Sequence, residues 1–227
     1  MVDAYILKID KAMEKEDFSR LLNCVSEEKR ERILRFHRFE DAQRTLLGDV
    51  LSRYALCKRF NLQNKDLVFG VNEYGKPLLP GFQDVHFNIS HSGPWVVCAV
   101  DDQPVGIDVE IIKPMDFKIA ERFFSKDEYR SLMNQPEEKK LHYFYRLWTL
   151  KESYIKAEGK GLSIPLDSFS MNIGSDVITV TVDSGTGSYC FTQSFLDDTS
   201  VYAICTSDTS PIERTFLNTE GFLERYV

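Results

Sequence analysis

Two acidic side chains stand two positions apart in a run of branched apolar residues, Gly106-Ile107-Asp108-Val109-Glu110. Successive side chains of a β-strand point to opposite faces of its sheet, so Asp108 and Glu110 should share one face. Neighbouring carboxylates repel each other unless a cation lies between them or one of them takes up a proton. The pair therefore indicates either a cation site or the solvated polar face of an edge strand.

A third acid, Glu152, lies in a segment with helical periodicity. At ~100° per residue, four apolar side chains of this segment form one stripe: Phe144, Leu147, Trp148 and Ile155. Lys151 falls inside the stripe and Glu152 on its edge. Charged side chains are rarely buried on an apolar stripe without partners. Lys156 follows Glu152 by one turn, so the simplest alternative is an exposed Glu–Lys surface pair.

Together, Asp108, Glu110 and Glu152 form a donor set of three hard oxygen ligands. Such ligands suit Mg²⁺, which keeps several waters and usually completes its coordination shell with phosphate oxygens of a substrate. Zinc fits less well, because the histidines and cysteines show no ligand spacing. The sequence therefore predicts Mg²⁺-dependent chemistry at a phosphate or a diphosphate.

The elements that must position these acids form two similar series of helices and strands. The first series has a strand at residues 5–9, helices at 10–22 and from the N-cap Ser26 to about 60 with a break near 37–39, and strands at 67–71, 85–90 and 95–100. The second has a strand at 105–111, helices at 117–133 and 137–158, and strands at 168–173, 177–182, 189–196 and 200–206. This order predicts an α+β fold with two halves, residues 1–104 and 105–227, rather than one alternating parallel sheet.

Composition limits the classes of function that fit the chain. A net charge of −7 and a pI of about 5.2 argue against a dedicated nucleic-acid-binding protein, although a local cationic pocket stays compatible with them. No apolar run approaches the ~20 residues that a membrane span needs. Five cysteines without a C-x-x-C pair, and an N-terminus without a secretory apolar region, predict a cytoplasmic protein with reduced thiols.

Two segments resemble the paired signature of the 4′-phosphopantetheinyl transferases: residues 106–110, described above, and residues 148–156, Trp-Thr-Leu-Lys-Glu-Ser-Tyr-Ile-Lys. Residues 74–77, Tyr-Gly-Lys-Pro, and 87–92, Phe-Asn-Ile-Ser-His-Ser, agree with the same family. Residues 40–50 resemble its surfactin-synthetase-activating branch from Bacillus. The motifs stand in the family's order, and the resemblance runs from about Ser26 to Cys205.

The resemblance implies a monomer of two pseudo-symmetric α+β halves with coenzyme A between them. The implied reaction transfers the 4′-phosphopantetheine group of coenzyme A to a serine of an apo peptidyl or acyl carrier domain and releases adenosine 3′,5′-bisphosphate. Nonribosomal peptide synthetases are the implied targets. The family also suggests carrier docking between Gly159 and Cys190, through side chains such as Leu162, Ile164 and Phe169.

Carried over position by position, the resemblance assigns Mg²⁺ to Asp108, Glu110 and Glu152, and a diphosphate contact to Lys156. Six further side chains match groups around the 3′-phosphate and nearby phosphates: Lys29, Arg32, Arg44, Lys76, Ser90 and His91. Arg32 stands where the family has a lysine, which keeps the charge but changes the contact geometry. The base that takes the serine proton is Glu152 or a metal-bound water, with Glu128 as a second candidate.

Two alternatives to this function stay open in the sequence. One is another Mg²⁺-dependent phosphoryl or nucleotidyl transferase with the same acidic triad. The sequence contains no G-x-x-x-x-G-K-[ST] loop and no kinase-type glycine loop, which disfavours nucleoside triphosphates. The other is a non-catalytic carrier-binding module, against which the intact acids and Lys156 argue.

Overall fold

The computed structural model describes residues 1–182, 185–209 and 211–226. The chain forms two compact units: the first consists of Met1–Gly70, Pro77–Asp102 and Pro211–Val227, and the second of Val71–Lys76 and Gln103–Ser210. The division into residues 1–104 and 105–227 stays a prediction. The two units differ from it chiefly in two segments, because Val71–Lys76 belongs to the second unit and the chain's C-terminal segment to the first.

The described residues contain helices and strands of ordinary length. The helices are α1 (Lys15–Leu22), α2 (Glu27–Leu34), α3 (Phe39–Phe60), α4 (Lys118–Phe123), α5 (Lys126–Met133), α6 (Glu137–Glu158) and α7 (Thr219–Tyr226). The strands are β1 (Val2–Lys8), β2 (Gly70–Val71), β3 (Pro77–Leu78), β4 (His86–Ser92), β5 (Trp95–Asp101), β6 (Val105–Ile111), β7 (Ser170–Ile173), β8 (Ile178–Val182), β9 (Gly185–Thr186), β10 (Cys190–Asp197), β11 (Ser200–Thr206) and β12 (Ile212–Asn218). No helix in the described part of the chain is long and apolar enough to cross a membrane.

In the first unit, α3 packs on a four-stranded sheet of order β12-β1-β5-β4. β1 is parallel to β12 and antiparallel to β5, which pairs antiparallel with β4. Every residue of β5 is buried, and Val96, Cys98 and Val100 join the core that α3 covers. Their spacing of two residues places them on one face of the strand.

In the second unit, α6 packs on an antiparallel sheet of order β10-β11-β6. Helix α6 contributes Leu147 and Ile155 of its apolar stripe, and also Leu150, to a core that contains Ala203 and Cys205 of β11. A second sheet, β7-β8-β9, and the short helices α4 and α5 belong to the same unit. The sheet that carries the two strand acids is therefore covered by the helix that carries the third.

The predicted elements nearest the acids are confirmed to the residue, since β6 spans Val105–Ile111 and α6 spans Glu137–Glu158. The predicted N-cap at Ser26 is also confirmed, because its hydroxyl accepts a hydrogen bond from the backbone N–H of Lys29. The hairpin of β4 and β5 turns at Gly93, whose φ of 54° suits a residue without a side chain.

Three predictions of secondary structure are wrong. The helix expected over residues 117–133 is broken, because Ser125 leaves the helical conformation and caps α5. The strand expected over residues 67–71 is reduced to Gly70–Val71, and the first helix begins at Lys15 rather than at residue 10. In addition, β12 and α7, which follow Thr206, were not among the predicted elements. β12 is a largely exposed edge strand, and its weak apolar pattern hides it in the sequence.

Candidate active site

Gly106 shows which face of β6 lies under α6. A Cβ atom on this residue would come within 2.0 Å of the backbone oxygen of Ser153 and 2.5 Å of the backbone nitrogen of Ala157. The helix backbone therefore rests directly on the strand at this point, and only glycine fits there. Because residues two apart share a face, Asp108 and Glu110 point to the same side of the sheet as this contact.

Asp108 is almost fully buried on that face, with 3% of its surface exposed. Its Oδ1 atom accepts a hydrogen bond of 2.6 Å from Nζ of Lys156, which also lies 3.4 Å from the backbone oxygen of Ile107. Lys156 thus leaves α6 toward β6 and neutralises a buried carboxylate there. The predicted alternative of an exposed Glu–Lys pair on the helix surface does not describe this lysine.

Glu152 lies one turn before Lys156 on α6, and its pKa is strongly displaced. Burial is the largest cause and the charge of Asp108 the next, and together with a smaller contribution from Glu110 they raise the pKa of its carboxyl to about 7 against the opposing Lys156 ammonium. The three carboxylates are therefore close enough to influence one another's charge. A carboxyl with a pKa near neutrality exchanges a proton readily at physiological pH.

The donor set can be tested for its fit to a metal ion. Within residues 1–182, 185–209 and 211–226, no group of three or more His, Cys, Asp or Glu side chains stands in an arrangement that could hold a metal. Lys156 supplies the positive charge beside Asp108 instead. The chemistry of the set still fits Mg²⁺, because three hard carboxylates whose repulsion raises the pKa of Glu152 would be stabilised by a divalent cation.

Glu128, the second candidate for the base, is held in a buried network. Both of its carboxylate oxygens lie 2.7 Å from Nζ of Lys151. The backbone N–H groups of Met171 and Ser125 donate to Oε1 and Oε2, at 2.7 and 2.8 Å. With 3% of its surface exposed and both oxygens engaged, Glu128 is not suited to take a proton from an incoming serine. This network favours Glu152 over Glu128 as the base.

Lys151 explains why a charge stands inside the apolar stripe of α6. The residue is fully buried, and its ammonium bonds Glu128 and the backbone oxygen of Phe169, each at 2.7 Å. Its Nζ also lies 4.1 Å from the centre of the Phe169 ring, a cation–π distance. Lys151 therefore joins α5, α6 and the start of β7, directly beside Glu152 in the chain.

Trp148 packs rather than faces solvent, as its place in the stripe predicts. Its ring stacks on Phe144 with a centroid distance of 5.7 Å and meets Phe123 edge-on at 6.2 Å. Aromatic pairs of this kind add about 0.5–1.5 kcal/mol beyond the burial of apolar area. The packing fixes the turn of α6 that precedes Glu152.

Of the six side chains predicted to bind the 3′-phosphate and nearby phosphates, all but Lys76 lie in the first unit. Nζ of Lys29 lies 3.6 Å from Oδ2 of Asp49 on α3. Arg44 forms an ion pair with Asp41 and donates a 3.1 Å hydrogen bond to the backbone oxygen of Gly93. This contact brings Arg44 to the hairpin whose first strand, β4, carries Ser90 and His91. Arg32 and His91 are exposed.

Lys76 belongs to the second unit and is largely buried there. Its Nζ donates to the backbone oxygen of Val105 at 3.2 Å and to that of Ala157 at 3.3 Å. Burial lowers the pKa of its ammonium to about 8, and the groups of Cys205 and Glu158 oppose this shift. The ammonium thus binds the beginning of β6 and the end of α6, the two elements that carry the three acids.

The sequence contained signals for some of the residues that were missed. Ser125 and Glu128 have the spacing of a capping box, in which each side chain satisfies the other's backbone N–H, and both bonds are present. Asn72, which precedes the Tyr-Gly-Lys-Pro motif, has a spacing typical of an Asx turn. The contact of Gly106 with α6 has no local signal, because it depends on which helix covers the strand.

Comparisons with known proteins bear on both parts of the chain. Residues 104–213 match the family model of the 4′-phosphopantetheinyl transferase superfamily, and residues 12–103 match that of the N-terminal region of a 4′-phosphopantetheinyl transferase. The chain is 41% identical over 219 residues to 4′-phosphopantetheinyl transferase psf-1 of Bacillus pumilus, covering 96% of this chain and 94% of that protein.

Two further relatives agree with these matches. 4′-Phosphopantetheinyl transferase Sfp of Bacillus subtilis (strain 168) is 51% identical over 172 residues, which cover 76% of this chain and 77% of that protein. 4′-Phosphopantetheinyl transferase gsp of Aneurinibacillus migulanus is 44% identical over 169 residues, covering 74% and 70%.

Proposed function

The chain belongs to the 4′-phosphopantetheinyl transferase superfamily, and on that premise we propose that Asp108, Glu110, Glu152 and Lys156 form its catalytic centre. The donor of the transferred group is coenzyme A, and the acceptor is the serine of an apo peptidyl or acyl carrier domain. Adenosine 3′,5′-bisphosphate leaves. The observation that carries the proposal is the approach of β6 and α6 at Gly106, beside which Lys156 bonds Asp108 and the pKa of Glu152 rises.

Asp108, Glu110 and Glu152 would hold Mg²⁺ in this centre. When bound, the ion supplies positive charge that makes the diphosphate of coenzyme A more electrophilic and stabilises the leaving phosphate. Lys156 donates to Asp108 at 2.6 Å, so its ammonium lies beside one of the acids that would hold the ion and its bound diphosphate. We assign it the role of binding the diphosphate.

Glu152 is the group that we assign to accept the proton of the carrier serine. A general base works best when its pKa lies near the operating pH. Burial and the charge of Asp108 bring the pKa of Glu152 to about 7 before a cation binds, and a bound cation would lower it and favour the carboxylate form that accepts a proton. The rigid packing of Trp148 and Lys151 on either side of this turn of α6 supports the role, because a base must keep its orientation toward the reacting hydroxyl.

The remaining contacts with coenzyme A are proposed for the first unit. Lys29, Arg32, Arg44, Ser90 and His91 would bind the 3′-phosphate and its neighbours. Exposed basic side chains such as Arg32 are available for a phosphate at no cost in lost internal bonds.

Carrier docking is proposed for the segment from Gly159 to Cys190, with the protein acting as a cytoplasmic monomer on peptide synthetases. Leu162 suits docking, because 75% of its surface is exposed in a 3₁₀ turn. Phe169 does not, because it is 3% exposed and packs on Tyr154 at 4.8 Å and on Lys151. The proposed apolar docking surface for the carrier therefore includes Leu162 but not Phe169.

The proposed function is tested by incubating the protein with coenzyme A, Mg²⁺ and a panel of apo carrier domains from peptide, polyketide and fatty-acid synthesis. We expect the carriers to gain the mass of one phosphopantetheine group, as measured by intact-protein mass spectrometry. A carrier whose serine is replaced by alanine is the matched control. Absence of a mass gain on every carrier would overturn the proposal.

A further inference from the structure

Residues 72–76 form a turn that is closed by its own first side chain. Oδ1 of Asn72 accepts hydrogen bonds from the backbone N–H groups of Tyr74 and Lys76, each at 2.9 Å. The backbone N–H of Asn72 donates to the oxygen of Lys76, also at 2.9 Å, and Gly75 takes a φ of 86°. This turn therefore has a defined shape before any ligand is considered.

Two side chains of the turn bind the C-terminal end of α6. Nδ2 of Asn72 donates a 2.7 Å hydrogen bond to the backbone oxygen of Gly159, and Nζ of Lys76 donates to that of Ala157. The last carbonyl groups of a helix have no partner within the helix, and the helix dipole favours a cation beside them. The turn thus supplies both a donor and a positive charge where α6 needs them.

The ammonium of Lys76 also binds the beginning of the neighbouring strand. Its second acceptor is the backbone oxygen of Val105, the first residue of β6. The Cδ atom of Lys76 lies 3.1 Å from the position of a Cβ on Gly159, so the lysine stem passes tightly over the helix end. One side chain therefore connects the strand of Asp108 to the helix of Glu152, on the side where Gly106 brings the two backbones together.

We propose that residues 72–76, which we call the α6 clasp, position Asp108 and Glu152 for the transfer reaction by holding β6 and α6 in register. Lys76 is in this view a positioning residue, and its ammonium is engaged by protein carbonyls rather than by a phosphate of coenzyme A. The inference rests on the proposed function only where it concerns catalysis, since the clasp itself is a property of the free protein.

The clasp is tested first without substrate. Hydrogen–deuterium exchange of the backbone amides at residues 156–161 is compared between the wild-type protein and Lys76→Met, which keeps the stem and removes the ammonium. We expect an increase of about tenfold in the exchange rate of these amides. Without the ammonium, the carbonyl groups at the end of α6 lose a donor, and the last turn of the helix opens more often. Lys139→Met, at an exposed lysine of the same helix, is the control and should leave this exchange unchanged.

Asn72→Ala removes the other arm of the clasp and the side chain that closes the turn, but it keeps the charge of Lys76. It should increase exchange at the same amides, and it provides the test if Lys76→Met does not fold. Steady-state kinetics then distinguish a positioning role of Lys76 from a contact with a phosphate of coenzyme A. A positioning role predicts that both variants lower kcat by about tenfold with the KM for coenzyme A within about twofold of wild type.

Unchanged exchange in both variants would overturn the clasp, and a raised KM with unchanged kcat in Lys76→Met alone would show a phosphate contact instead. Lys76→Arg keeps the charge, so the amides of residues 156–161 should be protected from exchange more than in Lys76→Met and nearly as well as in the wild-type protein. These results separate the clasp from the proposed function, because a protein that modified no carrier would still show the exchange effect if the clasp exists.

Discussion

The long helices of the two units, α3 and α6, make an informative comparison. Each has 22 residues, each packs on an antiparallel strand pair, and each is followed by a C-cap residue with positive φ: Asn61 at 53° and Gly159 at 74°. Each also buries an ion pair, Asp49–Arg53 within α3 and Glu128–Lys151 between α5 and α6. What differs is how closely the helix approaches its sheet.

A glycine marks the contact in both units, but on opposite sides of it. Gly48 lies on α3, and a Cβ there would meet the side chain of Ile89 at an ordinary 3.6 Å. Gly106 lies on the strand, and a Cβ there would meet the backbone of α6 at 2.0 Å. Only in the second unit does the helix rest directly on the strand backbone at its glycine, and there side chains of strand and helix, such as Asp108 and Lys156, touch directly. Close approach of the two backbones therefore brings the side chains of this site together.

The largest expected effect distinguishes the acids of the second unit from ordinary helix acids. Glu152→Gln should lower kcat/KM for coenzyme A and an apo carrier by about a thousandfold, because it removes both a negative charge and the base. Stability in urea should not fall, since burial already disfavours the charged form of this carboxyl. Glu138→Gln, at an exposed position of α6, should change neither quantity. Similar turnover in the two variants would show that Glu152 behaves like an exposed helix acid.

Removal of one member of the buried pair should come next. Lys151→Met leaves the Glu128 carboxylate without its cation in the interior and should lower the free energy of unfolding by about 3–5 kcal/mol. Glu128→Leu combined with Lys151→Met should recover a large part of that loss, because no buried charge then lacks a partner. Urea denaturation of the two single variants and the double variant measures the coupling. Additive losses would show that the pair does not act as a unit.

The two glycines test the comparison directly. Gly106→Ala should destabilise the protein by about 3 kcal/mol, because α6 must move away from β6 to admit the methyl group. Gly48→Ala should be neutral or stabilising by up to about 1 kcal/mol, since its Cβ has room and alanine favours a helix. Equal losses in urea denaturation would mean that helix–strand distance is not what separates the units.

The pH dependence of stability gives the smallest effect and tests the environment of Lys76. Its pKa is lowered from 10.5 to about 8 in the folded state, so the unfolded chain binds more protons between these values. The stability of wild type relative to Lys76→Met should therefore rise by about 2 kcal/mol as the pH increases from 8 to 10. Glu158 and Cys205, which face the ammonium, are present in both proteins. A constant difference in thermal or urea stability across this range would contradict the burial of a charged amine.

Local patterns were enough to predict the elements of the candidate site. The two-residue spacing of Asp108 and Glu110 and the apolar stripe of α6 predicted β6 and α6 with their observed bounds. Both signals depend on side-chain periodicity within a few residues, which is readable along the chain. The same reasoning failed at residues 117–133, where the apolar periodicity continues through the cap at Ser125 and conceals the break.

Contacts between distant segments were beyond that reasoning. Glu128 was a candidate base on the strength of its residue type, whereas its partner Lys151 is 23 positions away and made it structural. β12 pairs in parallel with β1 from the opposite end of the chain, so its stability comes from a strand that it does not adjoin in sequence. Edge strands with little apolar character depend on such pairing rather than on their own propensity.

Asp108, Glu110 and Glu152 could be identified as candidate site residues from residue type, spacing and motif order. Those features also sufficed to name the family. Tertiary structure decided the distances: Gly106 brings α6 onto β6, Lys156 reaches Asp108, and burial moves the pKa of Glu152 to about 7. It also decided the partners of Lys76. The physical reason is that burial, dielectric and contact arise only when separate elements pack, whereas periodicity belongs to one element alone.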